Sequence, residues 1–228
     1  MTNELTALPA VGMEARARLS AGASHDAIYA AAAAALTTRG AAGPLVDVGC
    51  GRGAIWSAIR DRFPTYVGVD AVHYEGFPRD ARLVRADLER PLPLADGVAG
   101  TVISLETIEH LENPRAFVRE LARIAAPGGR ILVTTPNQLS ALSLATLVAR
   151  QRFGAFQDVH YPAHRTALLE VDLRRIAAEA GLCDVIVSYT LAGRMPFTHR
   201  HFPRAVSRRS PRLFSDTIVL TARRPPAR

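Results

Sequence analysis

The chain contains no lysine, two cysteines and a single tryptophan in 228 residues. Cys50 and Cys183 lie far apart in apolar stretches with no metal-ligand spacing around them, which excludes a disulfide framework and offers no zinc site. All 28 cationic residues are arginine, which with the abundant alanine fits a GC-rich coding sequence rather than a function. Long apolar runs are missing as well. Ala30 to Leu36 falls far short of the roughly 20 residues that cross a bilayer, and the amino terminus has no basic region leading into an apolar one. The expectation is a cytoplasmic protein. No internal repeat or low-complexity tract is present, and 48% hydrophobic with 21% charged residues suits one domain with a full core.

Charge is unevenly spread. Residues 194 to 228 hold nine Arg against one acid, Asp216, whereas residues 1 to 193 hold 19 Arg against 20 acids, so the net charge of +7 is entirely carboxy-terminal. Such a segment attracts phosphate, carboxylate or an anionic membrane surface, with Phe197 and Phe202 as apolar contacts, unless it is only a solvated loop.

Residues 1–23 read as a loosely packed lead-in and 24–228 as a single domain. Ser24 and Asp26 open a helix that runs to Arg39. Leu45 to Val48 is a short strand entering a glycine-rich turn. A helix over Ala54 to Phe63 and strands at Tyr66 to Val69, Arg82 to Ala86 and Gly100 to Leu105 follow. Next come a helix over Pro114 to Ala125, a Pro127-Gly128-Gly129 break and a strand at Arg130 to Thr134. Helices at Leu139 to Phe153 and Thr166 to Ala180 precede strands at Val185 to Tyr189 and Thr217 to Thr221. Strands alternating with helices predict a parallel sheet covered on both faces. Residues 137–164 read as a helical insertion placed to act as a lid, and 193–214 as a basic hairpin loop.

The most informative stretch is Val46-Asp47-Val48-Gly49-Cys50-Gly51-Arg52-Gly53. A strand feeding alternating glycines into a helix lets backbone approach a ligand and points helix amides at it. Gly49, Gly51 and Ala54, with Asp70 ending the next strand, also satisfy a loose dinucleotide fingerprint, so an NAD(P)-dependent reductase stays open on these residues alone.

The full series of motifs resembles the class I S-adenosylmethionine-dependent methyltransferase family over roughly residues 44 to 190. It comprises Asp47, Gly49, Gly51 and Gly53 after the first strand, Asp70 after the second, and Ala86-Asp87-Leu88 after the third. Ser104-Leu105-Glu106 through Glu109-His110-Leu111 follows the fourth, and Pro127-Gly128-Gly129 leads into the fifth. The resemblance implies a three-layer Rossmann-like α/β sandwich with a mostly parallel seven-stranded sheet whose last strand is antiparallel. It also implies S-adenosyl-L-methionine as cofactor, with the methionine moiety against Asp47, Gly49 and Cys50, and Gly51 and Gly53 also among the cofactor-binding residues. The ribose hydroxyls fall on Asp70 beside Ala71, and the adenine beside Ala86, Asp87 and Leu88, with Leu105 and Glu106 also lining the site. A plainer role for Asp70 is a helix cap or solvated turn, and for Asp87 a turn cap before Glu89.

Glu106 through Pro114 and Thr135-Pro136-Asn137 are similar to the small-molecule branch that includes quinone-biosynthesis and polysaccharide-associated enzymes. That branch implies methyl transfer to a hydroxyl of a small molecule or a glycan or lipid-linked precursor. His110, His160 and His164 are the candidate bases for the hydroxyl proton, and Pro162 between the last two speaks against a helical metal pair. An RNA methyltransferase using the basic segment is the alternative, although Ser104-Leu105-Glu106-Thr107 lacks the pattern of amino-directed nucleic-acid enzymes. A catalytically silent nucleoside-binding protein is a further alternative.

Overall fold

The computed structural model describes residues 22–227 except 39, 41 and 197, together with 14, 15 and 18. Most of the lead-in at 1–23, and Phe197, therefore lie outside the described residues. The elements are α1 (Asp26–Thr38), β1 (Leu45–Val48), α2 (Trp56–Ile59), β2 (Tyr66–Asp70), β3 (Arg82–Arg85), β4 (Ala99–Ser104) and α3 (Pro114–Ile124). They continue with β5 (Ala125–Pro136), α4 (Ala141–Arg150), α5 (Glu170–Glu179), β6 (Cys183–Tyr189), α6 (Arg204–Arg209) and β7 (Thr217–Arg223).

The seven strands are ordered β3-β2-β1-β4-β5-β7-β6. β1 to β5 pair in parallel, and β7 runs antiparallel to both β5 and β6. This is the Rossmann-like sandwich expected from the motif order. Its two apolar layers come from alternate residues of the same strands: Val46, Val48 and Val102 pack with Phe117, Leu121 and Ile176 on one face, while Leu45 and Ile103 pack with Ile28, Ile55 and Trp56 on the other. Because β1 is followed outward by β2 and β3 on one side and β4 starts the other, the loops after β1 and β4 diverge and leave a crevice at their carboxyl ends.

Helix α3 begins where local chemistry dictates. Asn113 caps it by accepting from the Ala116 amide at 3.0 Å, and Pro114 occupies the first turn. The Pro127-Gly128-Gly129 segment, expected as a break, instead lies within β5, which follows α3 directly. A register shift opposite Ala99 and Thr101 absorbs the extra residues, and the Gly128 amide finds the Arg224 carbonyl at 3.0 Å. The segment expected as a helix over Ala54 to Phe63 shortens to α2 followed by a 3-10 turn at Arg60–Arg62. Helix α4 is also shorter than the apolar run: Ser140 caps its start, and Gln151 ends it in the left-handed conformation at φ 56°. The basic loop at 193–214 contains a helix, α6, that its arginines and prolines did not signal.

Candidate active site

Over the carboxyl ends of β1, β2 and β4 lies a cavity of about 310 Å³. Its floor is the turn after β1. Gly49 and Gly51 adopt φ of 79° and 52°, the left-handed region, and a side chain at either would collide with protein: a Cβ would stand 2.2 Å from Thr107 Oγ1 and 2.3 Å from the Gly22 carbonyl oxygen. These glycines therefore let the loop after β4 and the segment before α1 close onto the turn. Asp70 fixes the turn from the side. One carboxylate oxygen accepts from the Gly51 amide at 2.8 Å and the other from the Val72 amide at 3.0 Å. At 7% exposure it is neither a solvated turn residue nor a helix cap, and each oxygen keeps a lone pair for a further donor.

Asp47, buried on β1, accepts from the Tyr66 hydroxyl at 2.6 Å through one oxygen, while its other oxygen is buried and unpartnered. Burial raises its pKa to about 7 against the bond from Tyr66. Burial also raises Asp70, opposed by its backbone amides, and keeps the Cys50 thiol protonated. Asp87 caps its turn, accepting from the Glu89 amide at 2.9 Å, and lines the cavity as well. In all, six carboxylates (Asp47, Asp70, Asp87, Glu89, Glu106 and Glu109) and no arginine face this cavity among the described residues.

The raised pKa of Asp47 has a stability consequence. A carboxyl that ionises near 7 when folded and near 3.8 when unfolded stabilises the fold fully below the lower value, and loses that contribution as pH rises through 7. Asp47→Asn is therefore expected to gain stability relative to the parent as pH climbs from about 4 to about 8. Thermal unfolding of both proteins across that range checks it, and a difference that does not change with pH would contradict the assigned burial.

At the other end, Glu106 turns the chain after β4 with φ 50°, and Glu109 follows at 1% exposure. One Glu109 oxygen accepts from Thr135 Oγ1 at 3.1 Å; its other oxygen and Glu106 Oε1 are buried without partners. Burial drives both carboxyls up, Glu106 to about 7 and Glu109 further because Glu106 lies beside it. His110 donates from Nδ1 to the Ala163 carbonyl at 3.0 Å, which leaves Nε2 with the lone pair in the neutral ring. Its ring meets that of His164 edge-on, with centroids 4.7 Å apart, and His160 stacks on the far side of His164 at 5.3 Å. Burial lowers all three histidines, His164 to about 4, so these rings stand neutral at pH 7.

Glu109, His110 and His164 each offer one ligand atom, all within 4.8 Å of one another, a set able to hold a divalent cation. Sequence spacing offered no such site, because it weighed His160 against His164. The fold instead brings His164 to His110 from the insertion.

The cavity gathers Asp47, Gly49, Cys50, Gly51, Asp70, Ala71, Asp87, Leu88, Leu105, Glu106, His110 and His164 from the sequence-derived set. Three members lie outside it. Gly53 faces Pro78 and Phe77 on the protein side of the turn, Ala86 packs on the core with its amide bonded to the Asp70 carbonyl, and His160 reaches the site only through His164. The sequence reading missed Tyr29, Thr107 and Glu109, which line the cavity, and Tyr66, which holds Asp47. Glu109 stood inside a quoted motif without a role; Tyr66 carries no local signal, since its contact crosses from β2 to β1.

A family model described as a methyltransferase domain matches residues 23–187. Among curated proteins, a probable S-adenosylmethionine-dependent methyltransferase of Mycolicibacterium smegmatis is 32% identical over 120 residues, covering 51% of this chain and 45% of that protein. A ubiquinone biosynthesis O-methyltransferase of Idiomarina loihiensis is 28% identical over 155 residues, 63% of each chain. The chain thus spans about half to two thirds of the length of these relatives. Among solved structures, a putative methyltransferase in complex with the Haloferax volcanii Trm112 activator superposes with a TM-score of 0.64 at 20% identity, over 88% of this chain and 91% of that one. An S-adenosylmethionine-dependent methyltransferase from Archaeoglobus fulgidus gives 0.61 at 17% identity, covering 86% and 94%. At these identities the structural likeness shows the fold alone.

Proposed function

Because this chain belongs to the S-adenosylmethionine-dependent methyltransferases, we propose that it transfers the methyl group to a hydroxyl of a small molecule or of a glycan or lipid-linked precursor, at the cavity over β1 and β4. The observation that carries the reading is the acidic lining without arginine. S-adenosylmethionine supplies an electrophilic methyl on a cationic sulfur and also carries an ammonium group. Carboxylates suit that ligand and repel the pyrophosphate of a dinucleotide, which disfavours the reductase reading.

The residues fit the cofactor. The unpartnered oxygen of Asp47 would accept from the ammonium group, Asp70 would take the ribose hydroxyls with its remaining lone pairs, and Asp87 and Leu88 would flank the adenine. Since the donor carbon is already activated, the protein's work is alignment and exclusion of water. His110 Nε2 would accept the hydroxyl proton as the carbon–oxygen bond forms and the methyl's bond to sulfur breaks, its electron pair staying on sulfur, with His164 and Glu109 around the ring. A second reading rests on the same three residues: a divalent cation held by them would polarise the acceptor hydroxyl, and the unpartnered, buried atoms of Glu109 and His164 favour it.

Transfer of labelled methyl to panels of hydroxyl, amine and thiol compounds, with and without chelator, tests both. Labelling of hydroxyl compounds alone is expected. Labelling confined to amines or thiols would overturn the first reading, and activity untouched by chelator would leave His110 as base and remove the cation.

A further inference from the structure

Helix α4 buries a serine and ends its apolar run in solvent. Seven of its ten residues are Ala, Leu or Val, yet the only buried one is Ser143. Ser143 Oγ accepts from the Gly154 amide at 3.0 Å, and Thr146 bonds back to the Leu142 and Ser143 carbonyls, while the three leucines of the helix are half-buried and its last apolar residues, Val148 and Ala149, are exposed. Val148 is 86% exposed, and in the following loop Val159 is 84% and Tyr161 56% exposed. Large apolar side chains left exposed at the end of a helix and in the loop that follows call for an apolar environment from elsewhere.

The start of this helix adjoins the cationic segment. The Ala141 amide at the start of α4 donates to the Leu213 carbonyl at 2.7 Å, and Asn137 Nδ2 donates to the Arg212 carbonyl at 2.6 Å. In the same segment Arg200, Arg204, Arg208, Arg209 and Arg212 are exposed, and the acid within it, Asp216, pairs with Arg194 at 3.3 Å. No helix among the described residues is long and apolar enough to cross a membrane.

We propose that the end of α4 with its following loop and the arginines of α6 together form an interfacial docking surface for an anionic lipid bilayer, with Val148, Val159 and Tyr161 entering the headgroup boundary and the arginines resting on lipid phosphates. The charge selects this occupant. A second copy of the chain packed about a two-fold axis would set these arginines against one another. Single-stranded RNA would leave the exposed aliphatic Val148 and Val159 without an apolar environment, and Phe202 is packed against Phe214 with centroids 4.5 Å apart. The apolar contacts thus come from Val148 and its neighbours, and not from Phe202 as the sequence suggested. The insertion that carries α4 also delivers His164 to the cavity, which puts the surface beside the site.

The full chain is tested by co-sedimentation with vesicles of phosphatidylcholine alone and of phosphatidylcholine mixed with phosphatidylglycerol. Binding to the anionic vesicles only, weakened by salt, is expected. Replacing Arg204, Arg208 and Arg209 together with Gln should weaken it roughly fivefold per arginine, from about 1 kcal/mol each, and Val148→Asp should weaken it on the order of tenfold. Both variants should bind S-adenosylhomocysteine as the parent does, which separates loss of docking from loss of fold and keeps this result independent of the proposed acceptor. Equal binding to neutral vesicles, no binding to either, or a dimer in solution that Val148→Asp dissociates would overturn the proposal. So would binding of an RNA oligonucleotide that excludes vesicles.

Discussion

Asp70→Ala is expected to weaken binding of S-adenosylhomocysteine by about 1.5–3 kcal/mol, roughly 10- to 150-fold in Kd. The expectation follows from what Asp70 does in the fold. Its two oxygens take the Gly51 and Val72 amides, so the residue both shapes the turn after β1 and presents its remaining lone pairs to the cavity. Removing the carboxylate discards a charge-assisted acceptor for ligand hydroxyls and leaves two amides without their partner. Calorimetric titration of the variant gives the number, and a circular dichroism melt shows whether the fold survives. A folded variant that binds the nucleoside as tightly as the parent would remove Asp70 from the ribose site.

His110→Ala is expected to lower kcat by roughly 10²–10⁴-fold while leaving affinity for S-adenosylhomocysteine nearly unchanged. The ring is held from one side by the Ala163 carbonyl and from the other by the edge of His164. The Ala163 and Glu106 backbone carbonyls thus orient the ring before any acceptor arrives, and burial keeps it neutral and able to take a proton. Loss of the ring removes the acceptor for the hydroxyl proton and one of three clustered ligand atoms. The measurement is single-turnover methyl transfer to a hydroxyl compound that the parent labels. An unchanged rate would mean that the acceptor ionises without help from this cluster.

Both residues were legible in the sequence, because each follows a strand in a motif whose order is local. The alternation of strands and helices gave the parallel sheet, and the family resemblance implied its antiparallel last strand. What escaped was whatever depends on contacts across the chain. His164 meets His110 over a separation of 54 positions, Tyr66 reaches Asp47 from a neighbouring strand, and neither contact leaves a periodic trace. Leu139 to Phe153 reads as a helix without saying which side is covered, and α4 buries a serine and exposes Val148, since hydrophobicity states a preference for leaving water and not which surface satisfies it. The Pro-Gly-Gly break failed for a related reason, as the sheet accommodates those residues through a register shift that no local rule foretells.

The central claim is that the acidic cavity between the loops after β1 and β4 takes an S-adenosyl nucleoside. Calorimetric titration of the purified protein with S-adenosylhomocysteine, with NADH and NADPH titrated in parallel, tests it most directly. Micromolar binding of the nucleoside with none of the dinucleotides is the predicted result; binding of a dinucleotide in preference to the nucleoside would contradict it.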